Sequence, residues 1–222
     1  MTMKKWLCVL CALLFLLAGC DRQSVRIQDA GQLLPVSALA IDTHAAGYQM
    51  TVESIRQDSL DGDAAPAYFS VEGATFDELF QRADALLASR LYLSHAQAIV
   101  VSPAVVQTAR SALTQSLLAR PDARLTLRIA VARDASPDAV LRAPAVSEDI
   151  PGIALAALLD ERAKDGSMAD CPLFRLLDRQ TGGESFSLPV LRLSRDGHAA
   201  PDGSVQVAGG MLTFTTGGAS HA

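Results

Sequence analysis

Between Tyr68 and Ala143 the apolar residues switch repeatedly between the two-residue period of a strand and the 3.6-residue period of a helix. That order calls for a sheet with helices packed on it. Tyr68 to Val71 predicts a short strand. Gly73-Ala74-Thr75 then opens a helix, because Thr75 and Glu78 have the spacing of a capping box and Phe76, Leu79, Phe80, Ala83, Leu86 and Leu87 fall on one face. Within Leu91 to Val101, the run Ala98 to Val101 reads as a buried strand. Ser102-Pro103 supplies a capping hydroxyl and a first-turn proline to a second helix, whose apolar face is Val106, Ala109, Leu113 and Leu117. Arg124 to Ala132 alternates Leu125, Leu127, Ile129 and Val131 with Thr126, Arg128 and Ala130 and predicts a strand over its whole length. Ser136-Pro137 caps a short third helix.

Upstream, Leu33 to Asp42 and Tyr48 to Ile55 read as a hairpin turning near Gly47. Its second strand sets Tyr48, Met50 and Val52 against Gln49, Thr51 and Glu53. Asp58 to Ala67 is rich in turn formers and predicts a loop. Downstream, helices are expected at Ile153 to Lys164 and Pro172 to Asp178, and strands at Ser187 to Ser194, Ser204 to Ala208 and Met211 to Thr216. The expected fold is α/β, with α+β as the alternative: a mixed sheet with helices packed on it, in one body over residues 33–216. A chain of 222 residues that is 50% hydrophobic can fill such a core. Residues 217–222 read as a tail.

The beginning is a different kind of sequence. Met1 to Lys5 carries positive charge, Trp6 to Ala18 is thirteen apolar residues, and Ala18 and Gly19 are small, which are the parts of an export signal. Thirteen helical residues reach only about 20 Å, short of a hydrocarbon core of about 30 Å, so a permanent spanning helix is disfavoured. Leu17-Ala18-Gly19-Cys20 resembles the bacterial lipoprotein signal, which implies cleavage after residue 19 and a diacylglyceryl thioether on Cys20. A doubly acylated cysteine holds lastingly, because each buried methylene contributes about 0.8 kcal/mol and one chain alone is marginal. On this reading residues 1–19 are a signal peptide and residues 20–32, polar and without periodicity, are a tether. The alternative is an ordinary signal peptide cut near Cys20. Cys8 and Cys11 leave with the leader, so the mature chain keeps only Cys20 and Cys171 and has no intramolecular disulfide to form.

Lys4 and Lys5 are the only charges before Cys20, so the mature part has 17 basic against 24 acidic side chains, a net −7, which argues against a nucleic-acid partner. Asp58, Asp61 and Asp63 flank Gly62 without the spacing of a calcium loop. His44, His95, His198 and His221 lack the paired spacing of a zinc site, and neither a nucleophile elbow nor a phosphate loop is present. No metal or cofactor is expected beyond the covalent lipid. His95, at the entry to the strand Ala98 to Val101, reads as a hydrogen-bonded structural histidine.

The lipidation motif is followed in order by the strand end LALAID, by Gly73 and Thr75 before a helix, by LYLSHAQAIVVSP and by LLARPDARLTLRIAVARDA. SEDIPGIALAALLDE and FSLPVLRL come after. This succession resembles the C-subunit lipoproteins of spore-germinant receptors, the Ger(x)C family. Gly73, Thr75, His95 and Arg120 match recurring family positions and are read as structural. The resemblance implies a non-enzymatic subunit, lipid-anchored on the outer face of the cytoplasmic membrane (the spore inner membrane) and assembled with integral-membrane receptor subunits. Two departures stand out: Asp21 follows the lipidated cysteine where the family usually has tryptophan, and the family's second large domain is expected to be missing. The rival readings are a free-standing cell-envelope or solute-binding lipoprotein, a lipid-anchored hydrolase, and a truncated, diverged paralogue without a germination role.

Overall fold

Leu33–His44 (β1) alternates large and small apolar side chains, and the fold is built around that alternation. Leu39 and Ile41 face one side of the sheet, and Ala38 and Ala40 face the other. The structure is a computed structural model that describes residues 33–57, 64–87 and 90–215. The leader, Cys20, the tether, the Asp58, Asp61 and Asp63 turn and the tail lie outside the described residues. The further strands are Gly47–Gln57 (β2), Ala64–Gly73 (β3), Arg90–Tyr92 (β4), Ala98–Val101 (β5), Arg128–Ala132 (β6), Phe186–Leu193 (β7), Ala199–Ala208 (β8) and Met211–Thr215 (β9). The helices are Phe76–Leu86 (α1), Pro103–Leu118 (α2), Pro137–Leu141 (α3), Pro151–Lys164 (α4) and Leu173–Thr181 (α5).

The sheet runs β3-β2-β1-β5-β6-β7-β8-β9, with β4 beside the start of β1. Its centre, β1, β5, β6 and β7, is parallel, and an antiparallel meander extends it on each side. This is the expected α/β class with a mixed sheet. Helices α1, α2 and α5 cover the face of large side chains, where Leu39, Ile99, Val101 and Ile129 are at most 2% exposed. Helices α3 and α4 cover the other face, where Ala38, Ala40, Ala98, Ala130 and Ala132 keep the surface shallow. Small residues there let a helix approach the sheet closely, since packing distance follows side-chain size.

The expected caps form. Thr75 Oγ1 accepts the Glu78 N–H at 3.2 Å, and Glu78 Oε2 accepts the Ala74 N–H at 2.8 Å. Ser102 and Ser136 accept from Val105 and Ala139 at the starts of α2 and α3. Several boundaries differ from expectation. The hairpin turn is Ala45-Ala46, with Ala45 at φ +46°, and Gly47 already pairs with His44. Strand β3 begins at Ala64, inside the predicted loop, because it zips to β2 along ten residue pairs. Only the second half of Arg124 to Ala132 is strand. Before it the carbonyls of Leu125 and Leu127 accept from Phe174 and Leu173 at the start of α5, at 2.9 and 2.8 Å, so this stretch serves that helix rather than a neighbouring strand. Leu86, placed on the buried face of α1, is 66% exposed.

Candidate functional site

Two polar constellations lie inside this body. The first belongs to α4, which opens at Ile150-Pro151 without a capping side chain of its own. The orphan donor of its first turn is satisfied from the middle of the sheet: Gly152 N–H donates to Glu53 Oε1 at 2.8 Å, across 99 residues of chain. Glu53 is fully buried. It pairs with Ala38 on one side and Tyr68 on the other, so the three stand in one row across β1, β2 and β3 under the helix. At Ser37 the β1–β2 register shifts, and this bulge turns the Ser37 hydroxyl onto Glu53 Oε1 at 2.5 Å. Tyr68 donates its hydroxyl to Glu53 Oε2 at 2.7 Å, and the Arg142 guanidinium lies 4.5 Å above the Tyr68 ring.

Burial, together with the bond to Glu53, holds the Tyr68 phenol well above its ordinary range. Both carboxylate oxygens of Glu53 are occupied by protein donors, so the group docks a helix dipole and leaves no oxygen for a ligand. Gly152 is required by the same contact, since a Cβ there would stand 2.4 Å from Glu53 Oε1 and 2.5 Å from the Ala38 Cβ. In the sequence Glu53 is one of the polar alternates of β2. The usable signal was Ile-Pro-Gly at a helix start: no capping residue, and a glycine inviting close approach.

The second constellation is centred on Arg120, one of the four residues that match the family positions. Arg120, whose side chain is 9% exposed, donates to the Leu91 carbonyl at 3.0 Å, pairs with Asp84 at 3.5 Å and Asp122 at 3.4 Å, and lies 4.9 Å from the Phe80 ring centroid. Asp84 and Asp122 in turn accept the N–H groups of Leu91 and Leu93, at 2.9 and 2.8 Å, and Ser94 donates to the Asp122 carbonyl. The LYLS and LLARPD segments are thus stitched into one polar knot at the ends of α1 and α2. His95 closes the 3₁₀ turn Leu93–His95 and is exposed. Its ring packs edge-on to Tyr92, 5.7 Å between centroids, and it has no hydrogen-bond partner among the described residues, so the expected hydrogen-bonded histidine is corrected to an exposed one. Gly73 ends β3, and its carbonyl is the atom that a Cβ on Gly47 would strike at 2.3 Å. The tight residue of that pair is therefore Gly47.

Arg120 and Thr75 are brought within one helix length of each other by α1 and α2, joined also by Ser116 Oγ donating to Asp77 Oδ1 at 2.5 Å. Gly73 stands at the head of the same helix, and Cys20 lies outside the described residues. Cys171 is buried, and desolvation pushes its thiol up to about 12. Among the described residues no group of three or more His, Cys, Asp or Glu side chains is placed to hold a metal ion.

A family model described as the spore germination protein N-terminal domain matches residues 28–193. No curated protein and no solved structure matches the chain.

Proposed function

The chain belongs to the spore germination protein N-terminal domain family, and from that premise we propose that it is the membrane-anchored lipoprotein subunit of a nutrient-germinant receptor. A role in spore germination goes with the family. The finer reading is that the diacylglyceryl group on Cys20 tethers residues 33–216 through the 20–32 segment to the outer face of the cytoplasmic (spore inner) membrane. There the domain docks on integral-membrane receptor subunits and acts by assembly rather than by catalysis.

The observation that carries this reading is the family match over 28–193, set directly behind a lipidation motif ending at Cys20. Among the described residues no helix is long and apolar enough to cross a membrane. The buried carboxylate and the buried arginine are both spent on joining helices to the sheet, which suits a rigid docking body. Confinement to a membrane raises the effective concentration of partners, so a weak contact suffices. Gly73, Thr75, His95 and Arg120 are proposed as family positions of structural rather than chemical purpose.

The test is complementation in a spore former deleted for its own subunit. The lipidated chain is expected to restore nutrient-triggered germination, and the Cys20→Ala chain to lose both fatty-acid label and germination at equal abundance. Full rescue by the unlabelled Cys20→Ala chain would refute the tethered mechanism.

A further inference from the structure

Strands β1, β5 and β6 set out from the same end of the sheet, and that end carries an unusual surface. Leu118 closes α2, Leu125 lies in the connection to β6, and Phe174 is in the first turn of α5. They are 52%, 50% and 47% exposed. Leu125 and Phe174 are neighbours, since the Phe174 N–H donates to the Leu125 carbonyl at 2.9 Å. Isolated exposed leucines need no explanation, but Leu125 and Phe174 form an exposed apolar pair, and Leu118 stands exposed on the same end.

Arg90 and Arg124 stand at the same end, both exposed, and among the described residues neither pairs with an acid. The nearby carboxylates are engaged: Asp84 and Asp122 by Arg120 and backbone N–H groups, Asp170 by Arg128 and Arg175. A chain of net −7 after residue 19 therefore presents cations beside apolar side chains on this one end. Leu33, the first residue of β1, stands at this end too, since it pairs with Arg90. Cys20 is thirteen residues earlier, a reach of at most about 45 Å.

We propose that this end of the domain rests on an anionic phospholipid surface, with Leu118, Leu125 and Phe174 entering the interface and Arg90 and Arg124 over the headgroups. The proposal rests on the lipid anchor at Cys20 argued above. Apolar side chains with flanking arginines bind at the headgroup boundary, the arginines by attraction to anionic lipid.

The sequence supplies a clean reporter. Its one tryptophan, Trp6, lies in the leader, so a tryptophan placed in the body reports alone in the mature chain. The lipidated full chain carrying Phe174→Trp, or Leu125→Trp as a second position, is reconstituted in phosphatidylglycerol-rich vesicles with acyl-brominated lipid. The control is Val146→Trp. Val146 is 86% exposed, and nearby Pro144 meets His198 in the β7–β8 turn at the other end of the parallel strands. The expected result is blue-shifted, bromine-quenched emission from the Phe174 and Leu125 reporters, weakened by Arg90→Glu with Arg124→Glu, and no quenching of the Val146 reporter. Unquenched Phe174 and Leu125 reporters on protein that floats with the vesicles would overturn the proposal while leaving the anchor standing, and would assign this end to a protein partner. Protein that fails to float would remove the anchor and the proposal together.

Discussion

Removing the Glu53 carboxylate is expected to loosen α4 from the sheet. Glu53→Ala deletes the acceptor of the Gly152 N–H, which is then buried without a partner, at about 1–3 kcal/mol. Ser37 keeps a second acceptor, the Glu53 carbonyl at 3.1 Å, and Tyr68 is half-buried and can turn its hydroxyl to water, so neither adds a large cost. The void left by a fully buried side chain brings the total to about 3–5 kcal/mol. For a body of this size that corresponds to roughly 10 °C in Tm. Glu53→Gln keeps an amide oxygen for Gly152 and Ser37 but replaces the oxygen that accepts from Tyr68 with an NH2 donor, so about 1–2 kcal/mol is expected. Gly152→Ala should cost about 1–3 kcal/mol by overpacking, because its methyl would meet Glu53 Oε1 and Ala38 at once. In the double variant the first of those clashes is gone, so the combined loss should fall below the sum. The assay is urea unfolding of the lipid-free chain from Asp21, followed by far-UV circular dichroism. Glu53→Ala within about 1 kcal/mol of wild type, with strictly additive behaviour, would refute the remote cap.

Arg120→Ala should destabilise by about 3–5 kcal/mol, since it strands the Asp84 and Asp122 carboxylates beside the Leu91 carbonyl, and Arg120→Lys should cost less; urea midpoints of the two variants decide this. With its thiol pushed up to about 12 by burial, Cys171 should resist an aromatic disulfide reagent at pH 8 until the chain is unfolded, and equal rates in the folded and unfolded protein would contradict the buried placement. The Tyr68 phenol, raised by burial and then by its bond to Glu53, stays protonated in the folded protein where the unfolded chain ionises, near pH 10. Its contribution to stability is therefore complete below about pH 10 and is lost as the pH rises further. Tyr68→Phe should flatten the fall of the urea midpoint between about pH 9 and 11, and an unchanged slope would count against the assignment.

Much of the architecture was legible because it is local. A capping box at Thr75 and Glu78, the serine caps of α2 and α3 and the run Ala98–Val101 depend on residues within one turn or one strand of each other, so spacing along the chain is enough to see them. The fold class followed from their order. The half-strand at Arg124–Leu127 was not legible, since its carbonyls are taken by the start of α5, some fifty residues on. His95 stands at the expected strand entry, but the hydrogen bond expected of it has no partner among the described residues, because spacing along the chain does not say what a side chain closing a 3₁₀ turn meets. The two polar knots were decided by tertiary structure alone. Glu53 sits among the polar alternates of a strand whose second face would be wet in a two-layer fold, and only the arrival of α4 from 99 residues away makes it buried and satisfied. Alternation along β2 records which residues share a face. What covers that face is set by the chain's return, and a carboxylate reads the same in the sequence whether water or a helix N-terminus completes it.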